Sequence, residues 1–112
     1  MDTLRISINE LHPGAFPKKT TWERYSQIPN ERFRQEYYLT PFGVAMLSGV
    51  GYFVLDGNHR VARLYEVGVN EIMYFQRSLT SKDEGLWKSR IEGLHRNGIF
   101  NFADFLRICQ PT

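Results

Sequence analysis

The residues best suited to chemistry stand together in the segment Asp56-Gly57-Asn58-His59-Arg60, which follows an apolar run and opens a helical pattern. Glycine lets the backbone approach a ligand closely, and the first N–H groups of a helix have no partner within the helix. These free donors and the positive end of the helix dipole favour an anion, typically a phosphate. The spacing therefore predicts a phosphate site at the start of this helix.

Three side chains of this segment suit separate tasks. Arg60 can hold a phosphate with two hydrogen bonds, or form a surface salt bridge. His59 can relay a proton near neutral pH, or only hydrogen-bond the fold. Asp56 can ligate Mg²⁺, position a water, orient His59 or cap the helix, and a single carboxylate needs waters and phosphate oxygens to complete an octahedral magnesium shell. Asp56 and His59 are the catalytic candidates, and the alternative is a turn and helix cap without a ligand.

Alternating and apolar runs predict the elements that position this segment. A half-buried strand is expected at residues 4–8, and a hairpin at residues 42–47 and 52–55. A helix then carries Val61, Leu64 and Tyr65 and ends at Gly68, and a last strand covers residues 72–75. The strand, helix, strand order across residues 52–75 predicts a crossover unit.

The rest of the chain is predicted to be helical. Residues 21–38 carry apolar positions at helical spacing that Pro29-Asn30 interrupts, which indicates two short helices. Ser81 and Glu84 match the S-x-x-E capping box at the start of a longer helix, and a final helix is expected at residues 101–108.

Length and composition indicate one globular domain over residues 1–112, with a core at 4–76 and a helical tail at 81–109. The 112 residues are 42% hydrophobic and 23% charged, with a formal charge of +2 that is too small for binding polyanions by charge alone. Cys109 is the single cysteine, so an intramolecular disulfide and a Cys-rich zinc site are excluded. The chain shows neither a signal-like N-terminus nor an apolar window long enough to span a membrane, which predicts a cytoplasmic protein without a membrane partner.

Asp56-Gly57-Asn58-His59-Arg60-Val61-Ala62 resembles the signature of the ParB/sulfiredoxin superfamily, particularly its small ParB-like nuclease-domain members. Residues 6–13 and 39–44 are similar to the first strand with its proline-containing loop and to the strand before the motif, so the resemblance covers residues 4–75. It implies an α/β (α+β) fold. The expected architecture is a small mixed sheet with a strand-turn-helix phosphate loop, helices packed around it and a helical C-terminal tail.

The resemblance implies that the phosphates of ATP or CTP bind at Gly57, Asn58, His59 and Arg60. Lys18 and Lys19 stand about where the family's first loop offers a basic residue to the nucleotide. The implied activity is that of a Mg²⁺-dependent phosphoryl hydrolase or transferase, of the NTPase or nuclease type. The alternative is a non-catalytic, nucleotide-regulated module that binds DNA or a protein.

Departures from the family narrow these expectations. Sulfiredoxins place their catalytic cysteine where this chain has Asn58, so sulfinic acid reduction is not expected. Chromosome-partitioning members have Glu-Arg in place of Asn58-His59.

DNA is a possible partner, because Arg24, Arg32 and Arg34 form a basic stripe, although intervening glutamates also fit a solvated face of mixed charge. The apolar stripe at residues 102–106 is core or the contact of a homodimer.

Overall fold

The computed structural model describes residues 4–110 of the chain. Within that range, the strands are β1 (Leu4–Ser7), β2 (Phe42–Leu47), β3 (Gly51–Val54) and β4 (Glu71–Gln76). The α-helices are α1 (Lys19–Ser26), α2 (Asn30–Tyr37), α3 (Asn58–Glu66), α4 (Ser81–Arg96) and α5 (Phe102–Cys109). One turn of 3-10 helix, Ile8–Glu10, follows β1.

The strands form one mixed sheet in the order β1-β4-β2-β3. β4 pairs antiparallel with β1 and parallel with β2, and β2 pairs antiparallel with β3. The predicted hairpin and the mixed sheet are thus confirmed. The crossover predicted across residues 52–75 is wrong in its pairing, because β2 lies between β3 and β4. The short hairpin places β3 on one edge of β2, so α3 returns the chain to the other edge, where β4 pairs parallel with β2.

Apolar side chains pack on both faces of the sheet. The larger core combines inward residues of the strands with α1, α2, α3 and α5, including Phe33, Val44 and Phe105, which are fully buried. The smaller core lies under α4 and combines Ala45, Phe53 and Ile91 with the partly buried Trp87. Both faces of the hairpin strands are therefore covered, and burial of this apolar surface is the main force that holds the elements together.

The break between the first two helices is confirmed. α1 ends at Ser26 and α2 begins at Asn30, directly after Pro29. Proline disfavours the helical conformation in the residue before it. At the start of a helix proline is tolerated, because the N–H that it lacks would have no partner there. In the described part of the chain, every helix is too short or too polar to cross a membrane.

The predicted capping box at Ser81 and Glu84 is wrong by one residue. The cap of α4 is Thr80, whose hydroxyl accepts the N–H of Asp83 at 3.1 Å. Two residue pairs have the capping spacing, Thr80 with Asp83 and Ser81 with Glu84. Thr80 is the cap because its backbone is extended (ψ 163°), as an N-cap residue requires, whereas Ser81 is already helical.

The loop between β1 and α1 is anchored to the edge of the sheet. The N–H of His12 donates to the carbonyl of Tyr52 at 2.9 Å, and the N–H of Val54 donates to the carbonyl of His12 at 3.1 Å. The following Pro13 has no N–H and ends the pairing. The two bonds hold the loop beside β3, the strand that leads into the candidate site.

Candidate functional site

The segment of interest is a tight turn between β3 and α3. Gly57 has a left-handed backbone (φ 85°, ψ 25°) and forms the N-terminal cap position of α3. Asp56 is exposed, and its Oδ1 accepts the N–H of Gly57 at 2.9 Å. The turn and cap position predicted at Asp56-Gly57-Asn58 are present, but among residues 4–110 no side chain caps α3, because Asp56 bonds its neighbour and glycine has no side chain. The first turn of α3 therefore keeps N–H donors for a ligand.

A small depression opens in front of this turn. Its volume is about 180 Å³, and it is lined by Ala15, Thr21, Tyr25, Leu55 and residues 56–60. Ligand pockets that enclose a whole drug-sized molecule usually measure roughly 300–1,000 Å³. The depression is therefore of a size for phosphoryl groups, and a nucleoside would extend beyond it.

Arg60 is a half-buried cation held by aromatic rings. Its Cζ atom lies 5.8 Å from the centroid of the Tyr37 ring and 5.4 Å from that of the Phe42 ring, within the range of cation–π attraction. Among residues 4–110, the ion pairs join Arg63 to Glu66 and Arg107 to Asp104, so no described carboxylate neutralises Arg60. An anion would meet a guanidinium that is not already paired.

Gly57 is required for the close approach of Arg60 to the turn. A Cβ atom at position 57 would lie 2.9 Å from Nη2 of Arg60 and 3.0 Å from Cδ1 of Phe42, at the lower limit of real Cβ contacts or below it. Glycine thus supplies both the left-handed backbone and the space for the guanidinium.

Asn58 is buried and fixes the turn to the loop before α1. Its Oδ1 accepts the N–H of Gly14 at 2.8 Å, and its Nδ2 donates to the carbonyl of Val54 at 3.3 Å. Both ends of the amide therefore contact backbone, and the backbone N–H of Asn58 is the group that it can offer to a phosphate.

His59 is buried and connects α3 to the start of α1. Its Nε2 accepts the N–H of Lys18 at 2.9 Å, so the proton of the neutral imidazole lies on Nδ1. The ring packs edge-on against Phe105, with centroids 5.0 Å apart. Burial lowers the pKa of His59 below its usual 6.5, and the charge of Lys18 lowers it further. Among the described residues, no hydrogen bond joins Asp56 to His59, whose orientation comes from Lys18 and Phe105 instead.

The two predicted lysines lie in different surroundings. Lys18 is exposed, and its backbone reaches the site through His59. Lys19 begins α1 and lines a separate cavity of about 650 Å³ between α1, α3 and α5. The structure thus brings Asp56–Arg60 together with the backbone of Lys18, and it places the side chain of Lys19 at the neighbouring cavity.

Arg63 is a buried residue that the sequence analysis did not single out. Its Nε donates to the carbonyl of Tyr25 at 3.3 Å, and its Nη2 donates to the carbonyl of Ile28 and to Oδ1 of Asn30, both at 2.8 Å. Its Nη1 pairs with Glu66. His59 and Arg63 together hold α1 at both ends, because one bonds the residue before the helix and the other bonds its last turn.

The described residues contain no cluster of three His, Cys, Asp or Glu side chains that could hold a metal by themselves. Asp56 is an exposed carboxylate beside the depression, and it fits Mg²⁺ as one ligand among phosphate oxygens and waters.

Comparisons with known proteins place this geometry in a known fold. No protein-family model and no curated protein matches the chain. A variant of a free serine kinase in complex with ADP is similar over 74% of this chain and 34% of its own, with 22% identity and a TM-score of 0.57. Sulfiredoxin from Arabidopsis thaliana is similar over 79% of this chain and 98% of its own, with 14% identity and a TM-score of 0.56.

A third structure is the C-terminally truncated chromosome-partitioning protein ParB from Caulobacter crescentus, complexed with CTP-gamma-S. It is similar over 86% of this chain and 54% of its own, with 16% identity and a TM-score of 0.55. The fold is of the ParB/sulfiredoxin type. This confirms the fold expected from the motif, and the chain spans about a third of the kinase and about half of that ParB. Besides Arg63, sequence reasoning missed Tyr37 and Phe42, which contact Arg60 from outside the motif.

Proposed function

We propose that the protein binds a nucleoside triphosphate, ATP or CTP, with its phosphates at Gly57, Asn58, His59 and Arg60. The observation that carries the proposal is the Arg60 guanidinium, which lies against the Gly57 turn without a carboxylate partner among residues 4–110. A guanidinium holds phosphate oxygens in a planar fork, and the uncapped first turn of α3 adds backbone donors. The exposed Lys18 would add positive charge, since its charge already acts on His59 of the loop.

Two further observations support nucleotide binding. Solved structures of the same fold contain nucleotides, ADP in the free serine kinase and CTP-gamma-S in ParB. The volume of the depression, about 180 Å³, suits phosphates with the nucleoside outside. Recognition of the base would then involve residues around the depression, which explains why the motif by itself does not select between ATP and CTP.

A narrower proposal is phosphoryl hydrolysis or transfer, of the NTPase or nuclease type. Asp56 is the residue that would hold Mg²⁺, which when bound would neutralise charge on the phosphates. Arg60 would stabilise negative charge on the phosphate in the transition state. With Nε2 accepting the N–H of Lys18, the Nδ1–H of neutral His59 would donate a hydrogen bond to the ligand, and a proton relay would require Nε2 to be released from Lys18 first.

The alternative proposal is a non-catalytic module in which nucleotide binding regulates a partner. It is favoured by the structural hydrogen bonds of Asn58 and His59, which engage both side chains with backbone groups. DNA binding through Arg24, Arg32 and Arg34, and homodimer formation, stay predictions. Lys19 as a phosphate contact also stays a prediction, since its side chain lines the neighbouring cavity.

Calorimetric titration with ATP and CTP, with and without Mg²⁺, tests the binding proposal. We expect Arg60→Ala to weaken binding by at least about 1.5 kcal/mol, the scale of a hydrogen bond to a charged group. Arg107→Ala is the matched control, because Arg107 is exposed on α5 and lines no part of the depression. Equal affinity of wild type and Arg60→Ala, or no binding of either nucleotide, would refute the proposal.

Turnover separates the catalytic and regulatory alternatives. Phosphate release and plasmid nicking are measured for wild type, Asp56→Asn and His59→Ala at saturating nucleotide. The enzyme proposal requires a wild-type rate that both variants lower. Nucleotide binding without a rate above that of either variant supports the regulatory module.

A further inference from the structure

Aromatic rings hold the Arg60 side chain in place, and no hydrogen bond joins its guanidinium to another residue among residues 4–110. Aromatic rings of Tyr37 and Phe42 lie 5.8 and 5.4 Å from its Cζ atom, and the glycine of the turn leaves space for Nη2. A ring attracts a guanidinium through the face of the π system, so the N–H groups in the guanidinium plane stay available. Carboxylates usually hold arginines by bonding those same N–H groups, and they would compete with a phosphate.

We propose that Tyr37 and Phe42 are positioning residues that hold the Arg60 guanidinium at the Gly57 turn in the orientation that receives phosphate. This inference rests on the proposed function. A free arginine side chain has many rotamers, and ordering it when a ligand binds weakens the affinity roughly twofold to tenfold. The two rings impose that order before the ligand arrives.

The position of the rings in the fold supports this role. Tyr37 is the last residue of α2 and Phe42 is the first of β2, so the two ends of the α2–β2 connection converge on Arg60. Phe42 is buried in the larger core, which fixes its ring. Tyr37 is fixed by neighbouring rings, with Phe33 at 4.6 Å and Tyr25 at 6.1 Å between centroids.

Tyr25 extends this arrangement to the ligand side. Its ring contacts Tyr37 edge-on, and the residue also lines the depression in front of Gly57. The α2–β2 connection, which is distant in sequence from residues 56–60, thereby becomes part of the proposed phosphate site. No local pattern in the sequence marks these aromatic residues as different from the rest of the core.

Titration with inorganic pyrophosphate tests the proposal in wild type, Tyr37→Leu, Tyr37→Phe, Arg60→Ala and the double variant Tyr37→Leu/Arg60→Ala. Tyr37→Leu should weaken binding about threefold to tenfold, the effect of one cation–π contact. Tyr37→Phe keeps the ring face and should bind as wild type does. In the Arg60→Ala background, Tyr37→Leu should cause no further loss, because the residue acts through the guanidinium.

Wild type, Tyr37→Leu, Arg60→Ala and the double variant are also compared by urea unfolding, which measures the coupling of the two side chains without a ligand. If Tyr37→Leu does not fold, Tyr37→Met replaces it, since methionine fills similar volume without a ring. If Tyr37→Leu lowers the affinity equally with and without the Arg60→Ala change, or lowers it in neither case, the positioning role is overturned while phosphate binding stays intact. If wild type binds no pyrophosphate, or Arg60→Ala binds it equally well, the proposed function fails first and the positioning role fails with it.

Discussion

The backbone N–H of Lys18 donates a hydrogen bond to Nε2 of His59 across 2.9 Å, although the residues are 41 positions apart. Lys18 precedes α1, and His59 lies in the first turn of α3. The bond therefore joins the starts of two helices, neither of which is capped by a side chain. One turn further along α3, Arg63 bonds the carbonyls of Tyr25 and Ile28 at the other end of α1. The position of α1 relative to the phosphate loop depends on these two side chains.

Replacing His59 should loosen the start of α1. His59→Ala removes the acceptor of the Lys18 N–H and the contact with Phe105, and we expect it to lower the free energy of unfolding by about 1–3 kcal/mol. His59→Gln retains a side-chain acceptor and should cost less. Hydrogen exchange at the Lys18 amide provides a local readout, because protection should fall in the alanine variant. Unchanged protection there would show that His59 does not hold the helix.

The folded protein should become less stable as the pH falls below neutral. Burial lowers the pKa of both His59 and His12 from 6.5, with the nearby Lys18 and His95 as second causes. The unfolded chain then binds more protons than the native protein below about pH 6.5, so the free energy of unfolding falls with pH through that window and the loss is complete below the native pKa values. Urea unfolding at several pH values should show a shallower dependence for His59→Gln. A slope that is the same in wild type and His59→Gln would contradict this.

Gly57→Ala should destabilise the protein more than a glycine change of the same backbone type. Gly57 and Gly49 both have positive φ, 85° and 82°, so alanine at either position carries a backbone penalty of about 1–2 kcal/mol. A Cβ at position 57 also lies 3.0 Å from the buried Phe42 ring, besides the movable end of Arg60, whereas no atom of residues 4–110 lies within 4 Å of one at position 49. We expect Gly57→Ala to lose at least about 1 kcal/mol more than Gly49→Ala, as overpacking usually does. Thermal and urea unfolding of the pair provide the comparison, and equal losses would disprove the close approach.

Arg63→Met should be one of the most damaging single substitutions in α3. Its side chain is 6% exposed, and its loss removes the donor to the carbonyl of Ile28 and to Oδ1 of Asn30 and also removes the ion pair with Glu66. We expect a decrease of at least about 2 kcal/mol in the free energy of unfolding. Arg107→Met is the control, because Arg107 forms the same i,i+3 type of ion pair at 69% exposure and should change stability by less than about 0.5 kcal/mol. Similar effects of both variants would argue against a special role of Arg63.

The local part of the site could be predicted from the sequence, and the long-range part could not. Gly57 between a strand pattern and a helix pattern was sufficient to locate the turn, because those signals lie within a few residues. The error of one residue in the predicted cap of α4, Ser81 instead of Thr80, also has a local cause, because two capping patterns overlap in the sequence. Residue patterns contain no information on strand order or direction, so the predicted crossover from β3 to β4 does not hold: β2 lies between these strands, and they run in opposite directions.

The contacts of the site residues illustrate the same limit. The sequence predicts phosphate contacts for Asn58 and His59, but it does not predict that their side chains bond the backbone of Gly14 and Lys18, more than 40 positions away. Tyr37 likewise reaches Arg60 through the packing of α2 against α3, and Phe42 reaches it from the first position of β2. The types of these residues do not reveal such partners. Asparagine and histidine can bond a ligand or the backbone, and an aromatic residue can belong to the core or contact a cation.

The two cores on opposite faces of the sheet each contain one of the chain's two tryptophans, Trp22 in the larger and Trp87 in the smaller. Fluorescence of each indole consequently reports on a different side of the sheet. Single-tryptophan variants would reveal whether the two sides melt in one transition, and the emission of Trp22, which lies within α1, would report on events around that helix.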